Sequence, residues 1–314
     1  MTLTDCRRSV GGSAVVSGLV TGVGGLSSDG ATSTDCVNLS SLNVFPRMAA
    51  AAALVACAVA AWVLPTQAGS SPERRALNQA AAQPAGVPGV WRLVFDSEFN
   101  GSRLPTDWRT GWFGGGVTAP VRATELACYS PANVVFPGDG TMHLNVTAQP
   151  STCGGISRPF SGAIVTTNPN DGRSAGGFQY TYGLLEARVY LPAVGRGVAD
   201  WPAVWTDGQN WPSDGEDDVM EGLNGRLCFH FHDQQGARGG CVVRFKPGWH
   251  TFASDWSPGS VVYYYDGVRV GEVSEGVTGA PMYIVLDNTV RAGEQALTAV
   301  DSVRVKYVRV WQQG

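Results

Sequence analysis

An all-β domain, a sandwich or a barrel, is predicted by three observations. Glycine and proline are abundant, at 41 and 18 of 314 residues, while only 15% of residues are charged. Such a composition suits many short strands joined by tight turns. Apolar and polar residues alternate over short runs, and beyond residue 64 no amphipathic helix of 12 residues is found. Finally, Asp266-Gly267 follows Tyr263-Tyr264-Tyr265. That is a hairpin signal, because a type I′ turn needs positive φ at both central residues.

In chain order, residues 1–47 are rich in Gly, Ser, Thr and Val without apolar periodicity and are expected to be unstructured. Residues 48–64, MAAAAALVACAVAAWVL, are uncharged and follow Arg47. They have the length of a signal-peptide core, and Thr66-Gln67-Ala68 offers small residues for cleavage. If Met48 is the start, residues 1–47 are not translated. Two rivals stand beside secretion. A membrane anchor usually takes about 20 apolar residues, and Pro65 ends this run early. Lipid attachment at Cys57, behind Leu54-Val55-Ala56, is the other, although the run stays apolar after Cys57. The expectation is a leader over 1–68 and an exported protein with no membrane attachment in its mature form. Residues 69–89, rich in Ala, Ser, Gln, Gly and Pro, read as a flexible linker.

One β-domain is expected over 90–314. Met142, Leu144, Val146 and Ala148 form one alternating set. Leu185, Ala187, Val189 and Leu191 form another, with Glu186, Arg188 and Tyr190 opposite. Period two over such lengths means strands with one buried face. Cys128, Cys153, Cys228 and Cys241 lie beyond the leader, and an even count in an exported chain points to disulfides. Pairing of neighbours, 128–153 and 228–241, closes the shortest loops and is the expected connectivity. With a net charge of −4 and no basic stripe, nucleic acid is not an expected partner. A monomer is expected.

Residues 214–222, DGEDDVMEG, crowd carboxylates into a chain poor in charge. On a helix Glu216 and Glu221 would stand about 140° apart. On a regular strand Glu216 and Asp218 share a face and Glu221 points away. A β-bulge at Val219-Met220 would return Glu221 to the other two. The following residues support that register. Asn224-Gly225 reads as a two-residue turn, and counting back from it pairs Glu221 with Cys228. With the bulge opposite Phe229, Asp218 falls opposite His230 and Glu216 opposite His232, on one face. A retaining glycosidase needs two such carboxylates, nucleophile and proton donor, about 5–5.5 Å apart. A third acid between them can share a proton and tune both. Glu216 is assigned as nucleophile, Asp218 as the tuning acid and Glu221 as general acid and then base. Trp201, Trp205 and Trp211 are the candidate sugar platforms.

The run resembles the bulged Glu-x-Asp-x-Met-Glu signature of glycoside hydrolase family 16, matched by Glu216, Asp218, Met220 and Glu221. Other stretches are similar to that family in order: VFDSEFNG at 94–101, YGLLEAR at 182–188, WPAVW at 201–205, WSPGSVVYYYDG at 256–267 and VRVW at 308–311. The resemblance implies a β-jelly-roll sandwich of two antiparallel sheets with a concave substrate cleft, acting with retention. It also implies that His230 and His232 contact sugar or orient the acids. An exported endo-acting β-glycanase follows, with a polysaccharide partner, β-1,3-glucan foremost. Three departures stand out. Asp217 takes a position usually apolar and directed between the sheets. Lys306 stands near where calcium-binding members place an acid, so no cofactor is required by this reading and a structural calcium, though open, is not assumed. Residues 282–288, MYIVLDN, match the family's corresponding strand loosely.

Other readings stand beside this one. A solvated turn explains neither the spacing nor the strand that follows. His230, His232 and Asp218 suit a metal-dependent hydrolase. A non-catalytic carbohydrate-binding sandwich is open because fold does not fix function, but such a module has no use for both glutamates. A transglycosylase differs only in the acceptor. His143 and His250 read as structural histidines.

Overall fold

The structure, a computed structural model, describes residues 83–172, 176–242, 246–293 and 301–314. The leader over 1–68, its apolar core at 48–64, and residues 69–82 of the expected linker lie outside the described residues.

The described chain is built almost wholly of strands, and its one helical turn is Pro131–Asn133. The strands that carry the architecture are β1 (Trp91–Glu98), β2 (Met142–Leu144), β3 (Phe160–Thr166), β4 (Gly183–Leu191), β5 (Trp201–Gly208), β6 (Glu216–Leu223) and β7 (Arg226–Asp233). They continue with β8 (Gly236–Val242), β9 (Gly248–Ser257), β10 (Ser260–Tyr265), β11 (Val268–Val273), β12 (Met282–Thr289) and β13 (Val303–Gln313). One sheet runs β8-β7-β6-β5-β12-β3 and ends on Arg109–Thr110. The other runs β11-β10-β9-β4-β13-β2 and ends on Val134–Val135, with β1 also on β13. Pairing is antiparallel throughout both, apart from Ala127–Tyr129, which runs parallel to β3. This is the two-sheet jelly-roll sandwich predicted, and no helix among the described residues is long and apolar enough to cross a membrane.

Alternation decides what lies between the sheets. Leu185, Ala187, Val189 and Leu191 of β4 meet Val204, Met220, Phe231, Ile284 and Leu286 of the facing sheet in one core. Fully burying each large aliphatic or aromatic side chain is worth roughly 1.5–3 kcal/mol, so this layer is the main source of stability. The two turns take the required backbone: φ is 51° at Asn224 and 73° at Gly225, 50° at Asp266 and 75° at Gly267. Both disulfides pair as neighbours, Cys128–Cys153 and Cys228–Cys241. The second joins residues directly opposite on β7 and β8.

Two expectations are corrected. Residues 83–89 do not hang free as a linker. The Gln83 side chain donates to the Trp91 carbonyl, the Ala85 amide donates to Glu186 Oε2 at 2.7 Å, and Val87 is buried beside Trp91 and Trp311. That contact also explains why Glu186 is buried although its side of β4 faces away from the core. The second correction is at 142–148: the strand ends at Leu144, and although Val146 is still buried, Ala148 is exposed.

Candidate active site

The site begins with the irregularity in β6. Glu216 pairs with His232, Asp217 with Phe231 and Asp218 with His230, and the register then shifts so that Glu221 pairs with Cys228. On the other side Trp205 pairs with Asp218 and Val204 with Met220. Val219 is therefore the extra residue. Both Val219 and Met220 turn into the core, where each is fully buried. Two consecutive side chains on one face are what a bulge permits. Glu221 is thereby returned to the face of Glu216 and Asp218, and the three line one cavity with Trp201 and Trp205. The register is the one the Asn224-Gly225 turn predicts.

The neighbours hold each acid differently. Glu221 accepts the Trp201 indole N–H at Oε1, 2.9 Å away, and its Oε2 lies 3.1 Å from His230 Nδ1. Asp218 Oδ2 lies 2.9 Å from His232 Nε2. Each histidine thus meets the acid diagonally across from it, one step from its register partner. Glu216 accepts two bonds from Arg122 Nη2, at 2.9 and 3.3 Å. Burial, and then the charges of Glu221 and Glu216, push Asp218 well above the usual carboxylate range, with Arg122 pulling the other way. The neutral form of Asp218 is therefore favoured over what an exposed aspartate would show.

Of the tryptophans, Trp201 and Trp205 form the floor, 8% and 5% exposed, whereas Trp211 is half exposed on the loop before β6. Cavities open on either side of the acids. On the Glu221 side a space of about 560 Å³ is bounded by Trp201, His230, His232 and Arg291. On the Glu216 side one of about 250 Å³ is bounded by Trp112, Trp205, Trp211 and Asp207.

Several contributors were not named from the sequence. Arg122 comes from a loop far from β6. Trp112 lies 5.5 Å from Trp205, ring centroid to centroid. Asp287 accepts the Trp205 indole N–H at 2.7 Å and the Tyr129 hydroxyl at 3.3 Å. It lies well above the carboxylate range through burial and the nearby charge of Glu125. Asp207 was within reach of alternation: it lies two residues beyond Trp205 and so on the same face. Asp217 points between the sheets, as expected, and accepts the Tyr263 hydroxyl at 2.8 Å from the opposite sheet.

A two-sheet β-sandwich with two glutamates and an aspartate on one face, flanked by indoles, has the form of a carboxylate-pair glycosidase. Comparison with known proteins agrees. The family model "XgeA-like, catalytic GH16 domain" matches residues 179–237. The "Glucan endo-1,3-beta-glucosidase" of Cryptopygus antarcticus is 29% identical over 203 residues, 57% of this chain and 67% of that protein. The laminarinase catalytic domain from Thermotoga maritima MSB8 superposes with a TM-score of 0.59 at 23% identity, covering 72% of this chain and 99% of that one. The endo-beta-1,3-glucanase from Pyrococcus furiosus gives 0.59 at 24% identity, covering 73% and 98%. Together these make the domain similar to the catalytic domains of glycoside hydrolase family 16, laminarinases among them.

Proposed function

We propose that this protein hydrolyses internal β-1,3-linkages of a glucan by double displacement. The observation that carries the reading is the bulge in β6, which sets Glu216, Asp218 and Glu221 on one face. Glu216 attacks the anomeric carbon and forms a glycosyl ester as the leaving oxygen takes the proton of Glu221. Glu221, now a carboxylate, removes a proton from water, which attacks the same carbon and releases Glu216. Burial and the charges of its two neighbours favour the neutral form of Asp218, which limits repulsion among the three acids. The names of the relatives support the linkage, and aromatic walls on the Glu216 side suit the C–H faces of sugar rings.

Export through the 48–64 segment and action outside the cell belong to the same reading. So does chemistry without a cofactor. Lys306 donates from Nζ to the Gly140 carbonyl at 3.1 Å, so a positive charge already stands there and the place does not fit calcium.

The test is incubation of the purified chain with a panel of β-linked glucans, galactans and xylans, beside Glu216→Gln. Cleavage of β-1,3-glucan into oligosaccharides by the parent alone is expected. Equal hydrolysis by the variant would remove Glu216 from the nucleophile's role. A second reading is favoured by one observation: oxygens of Glu216 and Asp218 with a nitrogen of His232, and likewise Asp218, Glu221 and His230, lie within 4.8 Å of one another. Such donors suit a divalent metal. Loss of activity on chelation, restored by added metal, would favour it.

A further inference from the structure

Across the sheet, Tyr283 of β12 pairs with Asp207 of β5, Asp207 with Glu216 of β6, and Glu216 with His232 of β7. Asp207 therefore stands directly beside Glu216, and the two line a cavity that Glu221 does not reach. Because Glu221 serves the leaving group, this side receives the sugar that becomes attached to Glu216. Asp207 is 5% exposed, and its two oxygens are treated differently. Oδ2 accepts the Tyr283 hydroxyl at 2.9 Å, which fixes the carboxyl group. Oδ1 has no hydrogen-bond partner among the described residues.

A buried carboxyl oxygen without a partner is costly, and natural folds seldom leave one without a reason. Here it belongs to a residue lining the space of about 250 Å³ walled by Trp112, Trp205 and Trp211, with Phe113 and Trp211 exposed at its mouth. Indole faces with a fixed polar atom beside Glu216, Arg122 and Gln209 describe a subsite in which the rings supply stacking area and the polar atoms select orientation.

We propose that Asp207 is a specificity-determining residue: its Oδ1 hydrogen-bonds a hydroxyl group of the sugar whose anomeric carbon Glu216 attacks. The inference rests on the glycosidase reading above and adds to it the group that recognises the sugar. Burial and the charge of Glu216 raise the Asp207 carboxyl to about 7, so its oxygen can donate to that hydroxyl when protonated and accept from it when ionised.

The test uses a β-1,3-linked gluco-oligosaccharide and analogues that each lack one hydroxyl on the sugar at the cleavage point. The enzymes are the parent, Asp207→Asn and Asp207→Leu; Asn keeps the shape and an acceptor for Tyr283. One deoxy analogue is expected to lose roughly 10- to 100-fold in kcat/KM with the parent and less than about twofold with Asp207→Leu. Asp207→Asn should fall between. If every analogue loses the same factor in parent and Leu variant, or if the Leu variant matches the parent on the complete substrate, the assignment is overturned. A purely structural Asp207 would lower Tm and slow all compounds equally, which also overturns it. A parent that cleaves a galactan or xylan instead refutes the glucan reading alone, and the same comparison is then made on that polymer. A parent inert on every polymer overturns both.

Discussion

Trp201 and Glu221 lie diagonally across adjacent strands, and the indole N–H of one donates to Oε1 of the other at 2.9 Å. With His230 at Oε2, this fixes both oxygens of the proposed proton donor. A proton donor works only while it is aimed at the leaving oxygen, and geometry precedes acidity in that role. Trp201→Phe keeps the ring and removes the donor. Its kcat should fall roughly 2- to 12-fold, the value of about 0.5–1.5 kcal/mol for a hydrogen bond, with a smaller change in KM. Steady-state kinetics on laminarin-type glucan checks this. An unchanged kcat would mean that the bond does not aim Glu221.

Arg122 bears on the same acids from the opposite side. Its positive charge pulls against the upward push on Asp218, so removing it lets the coupled triplet hold a proton to higher pH. The nucleophile must be ionised to attack. Arg122→Met should therefore move the acid limb of the kcat/KM profile upward, by roughly one unit for loss of a cation at this range. Arg122→Lys should leave the limb near its original position. A limb that moves equally in both variants would point to packing rather than charge.

The contrast between β6 and Arg122 shows which parts of the site were legible in the sequence. The bulge followed from local rules: period two, a two-residue turn at Asn224-Gly225, and the cost of sending Glu221 to the wrong face. The disulfides followed from loop closure between neighbours. Asp287 reaches the site only through strand order, since β5 lies between β12 and β6, and Arg122 only through a loop distant in sequence; no local pattern encodes either. Asp207 was legible in principle, two residues past Trp205, but a lone acid on an apolar strand carries no sign of its use. The docking of residues 83–89 was hidden by composition, because Gly- and Pro-rich chain reads as a linker even where single groups such as the Ala85 amide find buried partners.

The division of labour between the two glutamates predicts different rescue chemistry. Glu216→Gly and Glu221→Ala should each lose about 10²–10⁴-fold in rate. On an aryl glucoside with a good leaving group, azide added to Glu216→Gly enters the space of the missing carboxylate. It attacks from that side and gives the α-glycosyl azide. In Glu221→Ala, Glu216 still forms the glycosyl ester, and azide then attacks from the other side to give the β product. Anomer assignment by NMR decides between them. The opposite pattern would exchange the two roles.

Asp217 gives a prediction about stability rather than rate. It lies fully between the sheets, and burial raises its carboxyl from 3.8 to about 6, only partly offset by the Tyr263 hydroxyl. Between those values the folded protein holds a proton that the unfolded chain has released. Stability from this group is therefore complete below about pH 4 and declines as pH rises towards 6. Asp217→Asn keeps an acceptor for Tyr263 and removes the charge. It should match the parent near pH 4 and exceed it at pH 8 by on the order of 2 kcal/mol. Asp207 and Asp287 are also raised by burial, but they titrate alike in both proteins and cancel in the difference, while Asp218 additionally loses the smaller upward push of the Asp217 charge. Urea unfolding at the two pH values measures it. A difference that does not change with pH would show that Asp217 is not protonated in the fold.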